Sequence, residues 1–317
     1  MKIRIKKKNW KRIGISFFIL FLLGNFVVYN HAYKFTHFVE SNIKKTKKPE
    51  ELSFGEKLNT LFFGINVPKP VNQDTPNADY HTINIESDEL LEAWQIDVPN
   101  AKGTISMFHG YSGSKSSLLS YSDEFNKKGF STLLVDFRGS GGSSGNTTTI
   151  GFKESKDVVN AFEYCKKSKP DTKIVLFGPS MGAVAIMKAI EEYKINPDKI
   201  ILECPFGSML TTTQKRFDAM GLPSFPFAEL ILFYGGLQTG FNAFKHKPIE
   251  YAKKINIPTL LMYGAKDARV SRKEIDSIYK NLPIEKKLVI LENSAHEIYL
   301  NDDEKYWNEA VDKFLEN

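Results

Sequence analysis

Lys173-Ile-Val-Leu-Phe-Gly178-Pro-Ser180-Met-Gly182-Ala-Val-Ala-Ile-Met187 is the stretch whose reading decides the fold. Its first part is an apolar run, Ile174 to Phe177, of the kind that forms a strand buried in a parallel sheet. Its last part spaces Ala183, Ile186, Met187 and Ile190 as one face of a helix. Between the two stands G-x-S-x-G. Glycines there let the chain turn tightly without a Cβ clash, which lifts the serine hydroxyl above the sheet edge. Ser180 is therefore the candidate nucleophile.

A serine hydroxyl attacks poorly until a base takes its proton, and the base needs a carboxylate to hold its tautomer and stabilise the imidazolium. Downstream, Pro258 to Tyr263 reads as a strand that runs into Gly264-Ala-Lys-Asp267-Ala-Arg-Val270. Lys287 to Leu291 reads as the next strand and is followed by Asn293-Ser-Ala-His296. Asp267 and His296 thus follow successive strands, on the edge where the serine turn opens. Glu203, after the strand Ile200 to Cys204, is the rival acid; the G-x-x-D-x-x-V setting favours Asp267. A carbonyl oxygen that gains charge needs N–H donors already in place. The candidates are Met181, directly after the serine, and Tyr111 in the loop His109-Gly-Tyr-Ser-Gly-Ser114 that follows the strand Thr104 to Phe108.

From about residue 80 to 317 the chain resembles the α/β-hydrolase superfamily, in its serine-aminopeptidase-like and monoacylglycerol-lipase-like branch. The matching pieces are HGYSGS from His109, DFRGSGGSSG from Asp136, GPSMG from Gly178, GAKDARV from Gly264 and SAHE from Ser294. The resemblance implies a mainly parallel sheet flanked by helices and a Ser180–His296–Asp267 triad. It implies cleavage of carboxylic esters, acyl or lipid, through an acyl-enzyme, with no cofactor. One scaffold serves many chemistries, so two alternatives stand: a peptidase of the serine-aminopeptidase type, and a membrane-tethered pseudo-hydrolase that only binds a ligand. A peptidase would need acids in the cap to hold an ammonium group, and Asp218, Glu229 and Glu250 are widely spaced there.

The remaining pattern is consistent with that architecture. His81 to Ile85 and Glu92 to Val98 read as antiparallel strands, and from Thr104 strands and helices alternate, as a parallel sheet requires. The interval 206–250 is longer than one crossover needs. It holds two helical patterns, Ser208 to Met220 and Phe227 to Tyr234, expected to form a cap over Ser180. The cap's Phe225, Phe227, Leu230, Ile231, Leu232 and Phe233 either hold an acyl chain or pack the cap on the body. Leu52 to Asp79 reads as irregular, within a 30–79 linker and pre-domain segment.

Composition separates the N-terminus from the rest. Residues 1–50 carry 12 Lys/Arg and 2 Glu, whereas the remainder carries 31 and 35. The basic excess is therefore terminal, and the globular part lacks a nucleic-acid footprint. Seven cations in residues 1–12 precede Ile13 to Tyr29, an uncharged run about 25 Å long as a helix. Trp10 and Tyr29 flank it as interfacial aromatics do. A single-pass anchor over 13–29 is expected, with the N-terminus cytoplasmic and the catalytic domain outside, because the cations lie on one side. A cleaved signal peptide is the rival, although Asn30-His-Ala32 is a poor cleavage site. A chain starting near Glu51 is expected to be soluble and active.

Several motifs are discounted. Asp136-Phe-Arg-Gly-Ser-Gly imitates a dinucleotide turn, but no helix opens after it, so Asp136 and Arg138 are expected to hold each other and the neighbouring loop. His109 is expected to organise its loop. Cys165 and Cys204 read as core residues, and no ligand spacing points to a metal.

Overall fold

The computed structural model describes residues 7–316 except 45, 47–52, 220, 284 and 297. Residues 1–6 of the basic tail, the lysines at 45, 47 and 48 and Glu297 of the SAHE motif therefore lie outside the described residues. The elements follow in chain order: α1 (Lys7–Thr36), α2 (Phe54–Phe63), β1 (His81–Ile85), β2 (Leu91–Ile96), β3 (Thr104–Phe108), α3 (Leu119–Lys127), β4 (Ser131–Val135), α4 (Glu154–Ser168), β5 (Ile174–Pro179), α5 (Met181–Tyr193) and β6 (Lys199–Glu203). The second half contains α6 (Met209–Ala219), α7 (Phe227–Thr239), α8 (Pro248–Tyr251), β7 (Thr259–Gly264), α9 (Arg272–Asn281), β8 (Lys286–Leu291), α10 (Tyr299–Asp302) and α11 (Glu304–Glu316).

The eight strands form one sheet in the order β1-β2-β4-β3-β5-β6-β7-β8. β2 runs antiparallel to both neighbours and every pair from β4 onward is parallel. The central strands have apolar residues on both faces because helices cover both. On one side α4, α5 and α9 contribute Val158, Phe162, Ile186 and Ile275; on the other, α3 and α11 contribute Tyr121, Phe125, Trp307 and Phe314. Parallel strands place all their C-terminal ends on one edge. The loops after β3, β5, β6, β7 and β8 therefore meet there, which is where this class of sheet presents its chemistry.

The pre-domain segment differs from the expected irregular linker. Ser53 caps α2, its hydroxyl accepting from the Glu56 N–H while the Glu56 carboxylate accepts from the Ser53 N–H. That S-x-x-E box makes a helix out of a stretch that shows no long apolar period. α1 also extends past the apolar run to Thr36, and bridges pair His37 with Thr147 and Val39 with Pro68. α1 is long and apolar enough, by length and composition, to cross a membrane.

Candidate active site

The turn after β5 is held open by close contacts. A Cβ at Gly182 would lie 2.0 Å from the Phe108 carbonyl oxygen, and one at Gly178 would lie 2.6 Å from the Gly182 carbonyl carbon. No side chain fits at either place, so β3, β5 and α5 approach at backbone distance. Ser180 takes φ 50° and ψ −111°, a conformation that L residues rarely occupy. That strain, held by the packed strand and helix on either side, points its half-buried hydroxyl out of the sheet edge.

The structure brings together the three side chains that the sequence singles out. The Ser180 hydroxyl lies 3.0 Å from His296 Nε2, and His296 Nδ1 lies 2.7 Å from Asp267 Oδ2. A carboxylate can only accept, so Nδ1 carries the proton and leaves Nε2 to accept from Ser180. Asp267 is immobilised by its own loop: Oδ1 accepts from the Arg269 and Val270 N–H groups, and its side chain is fully buried. Burial alone would disfavour the His296 imidazolium. The adjacent Cys204 sulfur and the bonded Asp267 carboxylate override it and raise His296 above the ordinary histidine range.

The rival acid is engaged elsewhere. Glu203 is fully buried and accepts from the Tyr121 hydroxyl at 2.6 Å and from the Trp307 indole N–H at 2.7 Å. Burial pushes its carboxyl up to about 7, against those two donors. It lies at the end of β6 and ties α3 and α11 to the sheet.

The two expected N–H donors flank the turn. Met181 is the first residue of α5, where no intrahelical carbonyl is within reach of the N–H. The loop after β3 passes directly over Ser180, since a Cβ at Gly110 would lie 3.8 Å from the serine Cβ. Tyr111 itself turns away from the turn. Its hydroxyl donates to the Phe35 carbonyl at 3.0 Å, its ring stacks on Phe35, and burial pushes its phenol up to about 12.

Two residues passed over in the sequence prove central to the site. Cys204, expected as an ordinary core residue, lies against His296, and its sulfur and the Asp267 and His296 ligand atoms all fall within 4.8 Å of one another. This is also the one metal-sized group found among the described residues, and two of its members already bond each other. The available signal was its place at the C-terminal end of β6, on the same edge as Ser180. Lys115 is the second. It is fully buried, with Nζ 2.5 Å from Asp136 and 2.7 Å from Glu92, and its own N–H donates to Asp136 at 2.7 Å.

The DFRGSG segment meets half of the expectation. Asp136 does hold the neighbouring loop, the one that carries Tyr111, but Arg138 binds Asp157 at 2.7 Å rather than Asp136. His109 Nε2 accepts from the Phe137 N–H while Nδ1 donates to the Gly110 carbonyl, which joins the same two loops. Of the six cap residues, Leu232 packs into the core, Leu230 and Ile231 are half-buried, and Phe225, Phe227 and Phe233 are exposed.

Comparison with known proteins follows the same lines. The uncharacterized protein YqkD of Bacillus subtilis is 30% identical over 225 residues, covering 70% of this chain and 72% of that one. The family described as "Serine aminopeptidase, S33" matches residues 99–222. The chain belongs to the α/β-hydrolase superfamily. Within it, an esterase of Pyrococcus furiosus superposes with a TM-score of 0.67 at 25% identity, over 79% of this chain and 97% of that chain. Human protein ABHD12B is 29% identical over 151 residues, which is 45% of this hydrolase and 39% of that protein.

Proposed function

We propose that this α/β hydrolase is a membrane-anchored serine hydrolase that cleaves carboxylic esters, acyl or lipid, through an acyl-enzyme on Ser180. The observation that carries the reading is the continuous hydrogen-bonded line from the strained Ser180 through His296 to the buried Asp267. In this reading the Ser180 oxygen attacks the ester carbonyl carbon while its proton passes to His296 Nε2. The carbonyl oxygen takes the electron pair and is held by the Met181 and Tyr111 N–H groups. Collapse of that intermediate breaks the ester C–O bond, and His296 returns its proton to the departing alcohol. Water then enters by the same route and releases the acid. Helix α1 acts as the anchor over residues 13–29, with the cations on the cytoplasmic side and the catalytic domain outside.

The peptidase reading retains one supporting observation. Glu229 in the cap bonds Gln214 through one oxygen, while its other oxygen is shielded from solvent without a partner, as a site for a substrate ammonium would be. Fluorophosphonate labelling with peptide mapping tests the nucleophile, and label on any serine other than Ser180 would refute it. A panel of acyl esters against aminoacyl anilides then separates esterase from peptidase. Protease added to spheroplasts should digest the catalytic domain; protection until lysis would reverse the topology.

A further inference from the structure

Helix α1 is free along only part of its length. Every residue from Trp10 to Leu23 is exposed, whereas beyond Gly24 the helix lies on the domain, with Val28, Ala32 and Thr36 forming its buried stripe. It is seated between two other helices. Toward α7, the Tyr234 hydroxyl donates to Asn25 Oδ1 at 2.6 Å, and Gln238 donates to the Tyr29 carbonyl at 3.0 Å. Toward α2, Phe26 meets Phe63 edge to face at 6.2 Å, and His31 Nε2 bonds the Leu61 carbonyl at 2.8 Å. Its end reaches the loop over Ser180 through the Phe35–Tyr111 stack.

Length places the membrane surface. A hydrocarbon core of about 30 Å takes about 20 residues of helix. From Ile13, just past the cations, the free part ends at Leu23 after roughly 16 Å. The charge-free stretch runs from Ile13 to Tyr33, about 32 Å, and ends at Lys34, whose Nζ is held by Asn66. A full span therefore includes more than two turns that are already packed on the domain. Whatever lies beside those turns enters the outer leaflet with them.

The two neighbouring helices are suited to that environment. On α7, Phe227, Leu230, Phe233 and Leu237 form a stripe opposite the buried Ala228, Leu232, Gly235 and Thr239. Between Ala219 and Phe244 the only charged residue is Glu229. On α2, Phe54, Leu58 and Leu61 recur on one exposed face. The polar side chains of the docked turns are satisfied within the protein, as lipid burial demands: Asn25 and Asn30 donate to the Phe21 and Phe26 carbonyls.

We propose that α2 and α7 sit in the outer leaflet of a phospholipid bilayer as an apolar collar around α1. The loop over Ser180 then lies at the lipid–water boundary, and the ester presented to it is one borne by the bilayer. The substrate part rests on the serine-hydrolase reading above; the seating does not.

The test uses the full chain in phosphatidylcholine–phosphatidylglycerol vesicles. Leu237→Cys, Phe54→Cys and, on the remote α11, Tyr306→Cys are each labelled with a polarity-sensitive fluorophore. Blue-shifted emission at 237 and 54 that acyl-brominated lipids quench, with an aqueous signal at 306, is expected. Aqueous spectra at 237 and 54 would overturn the seating. So would a shift that brominated lipid leaves untouched and that grows with protein concentration, because the stripe would then be a contact between copies. Leu237→Glu with Phe54→Glu should cut hydrolysis of a vesicle-embedded long-chain ester at least tenfold and leave a water-soluble acetate ester within about twofold. Equal loss on both esters, or on neither, overturns the lipid-borne substrate. Should the unmodified chain hydrolyse neither ester while the labels are quenched, the serine-hydrolase reading fails and the seating stands.

Discussion

Ser180, His296 and Asp267 sit 116 and 29 positions apart in the chain, yet their polar atoms meet at hydrogen-bond distance. If they act as proposed, Asp267→Asn leaves the fold intact but lets His296 choose the wrong tautomer, and kcat for ester hydrolysis should fall about 10⁴-fold. The raised His296 also sets a pH limb. The base must be neutral to accept the serine proton, so kcat/KM should fall as pH drops, with an apparent pKa above 6.5; Asp267→Asn should move the limb down. Glu203→Gln is the control. Its amide oxygen can still accept from Trp307 while the Tyr121 hydroxyl turns round to accept from the new N–H. The expected cost is about 1–2 kcal/mol of stability in denaturant titration, with esterase activity kept within about threefold. The carboxyl of Glu203 is raised, so the folded state favours its neutral form. Stability from this group therefore declines as pH rises from its unfolded value toward about 7, and Glu203→Gln should flatten that slope.

At the scale of elements, the loop over Ser180 depends on a buried ion pair. Lys115 and Asp136 are both fully buried, so Lys115→Met strands a carboxylate that also holds the Lys115 and Gly142 N–H groups. Loss of about 3–5 kcal/mol is expected, read as a lower denaturation midpoint. The Asp136 carboxyl is held below its ordinary range: burial would raise it, and Lys115 and His109 more than reverse this. Its contribution is present above the unfolded carboxyl value and disappears as pH falls through the folded one.

For the whole molecule, the docking of α1 alters the expectation for a shortened chain. A protein beginning at Glu51 keeps every motif, but it uncovers the flank of α7 around Tyr234 and Gly235 and strips Phe35 from Tyr111. It should need detergent to remain monodisperse and melt several degrees lower than the full chain. Size-exclusion chromatography and a thermal scan check both. A shortened chain that is monodisperse in plain buffer with an unchanged Tm would show that α1 only tethers the domain.

Sequence alone placed the eight strands and the longer helices, though not α2, α8 or α10, because apolar runs and 3.6-residue periods are local and each strand end reports its own loop. It also picked out Ser180, Asp267 and His296, since parallel strands must deliver their C-terminal loops to one edge. Helix α2 was readable in principle from the Ser53–Glu56 box and from Phe54, Leu58 and Leu61 at i, i+4 and i+7, but a period of under three turns among prolines and polar residues did not stand out. Only the tertiary structure decided that Glu203 is committed to Tyr121 and Trp307, that Cys204 lies against His296, and that Asp136 pairs with Lys115 rather than Arg138. The same holds for α1 on α7, where Asn25 meets Tyr234 from 209 positions away. Such partners are chosen by three-dimensional packing between distant segments, and no local spacing in the chain encodes which of several buried charges or apolar faces will meet.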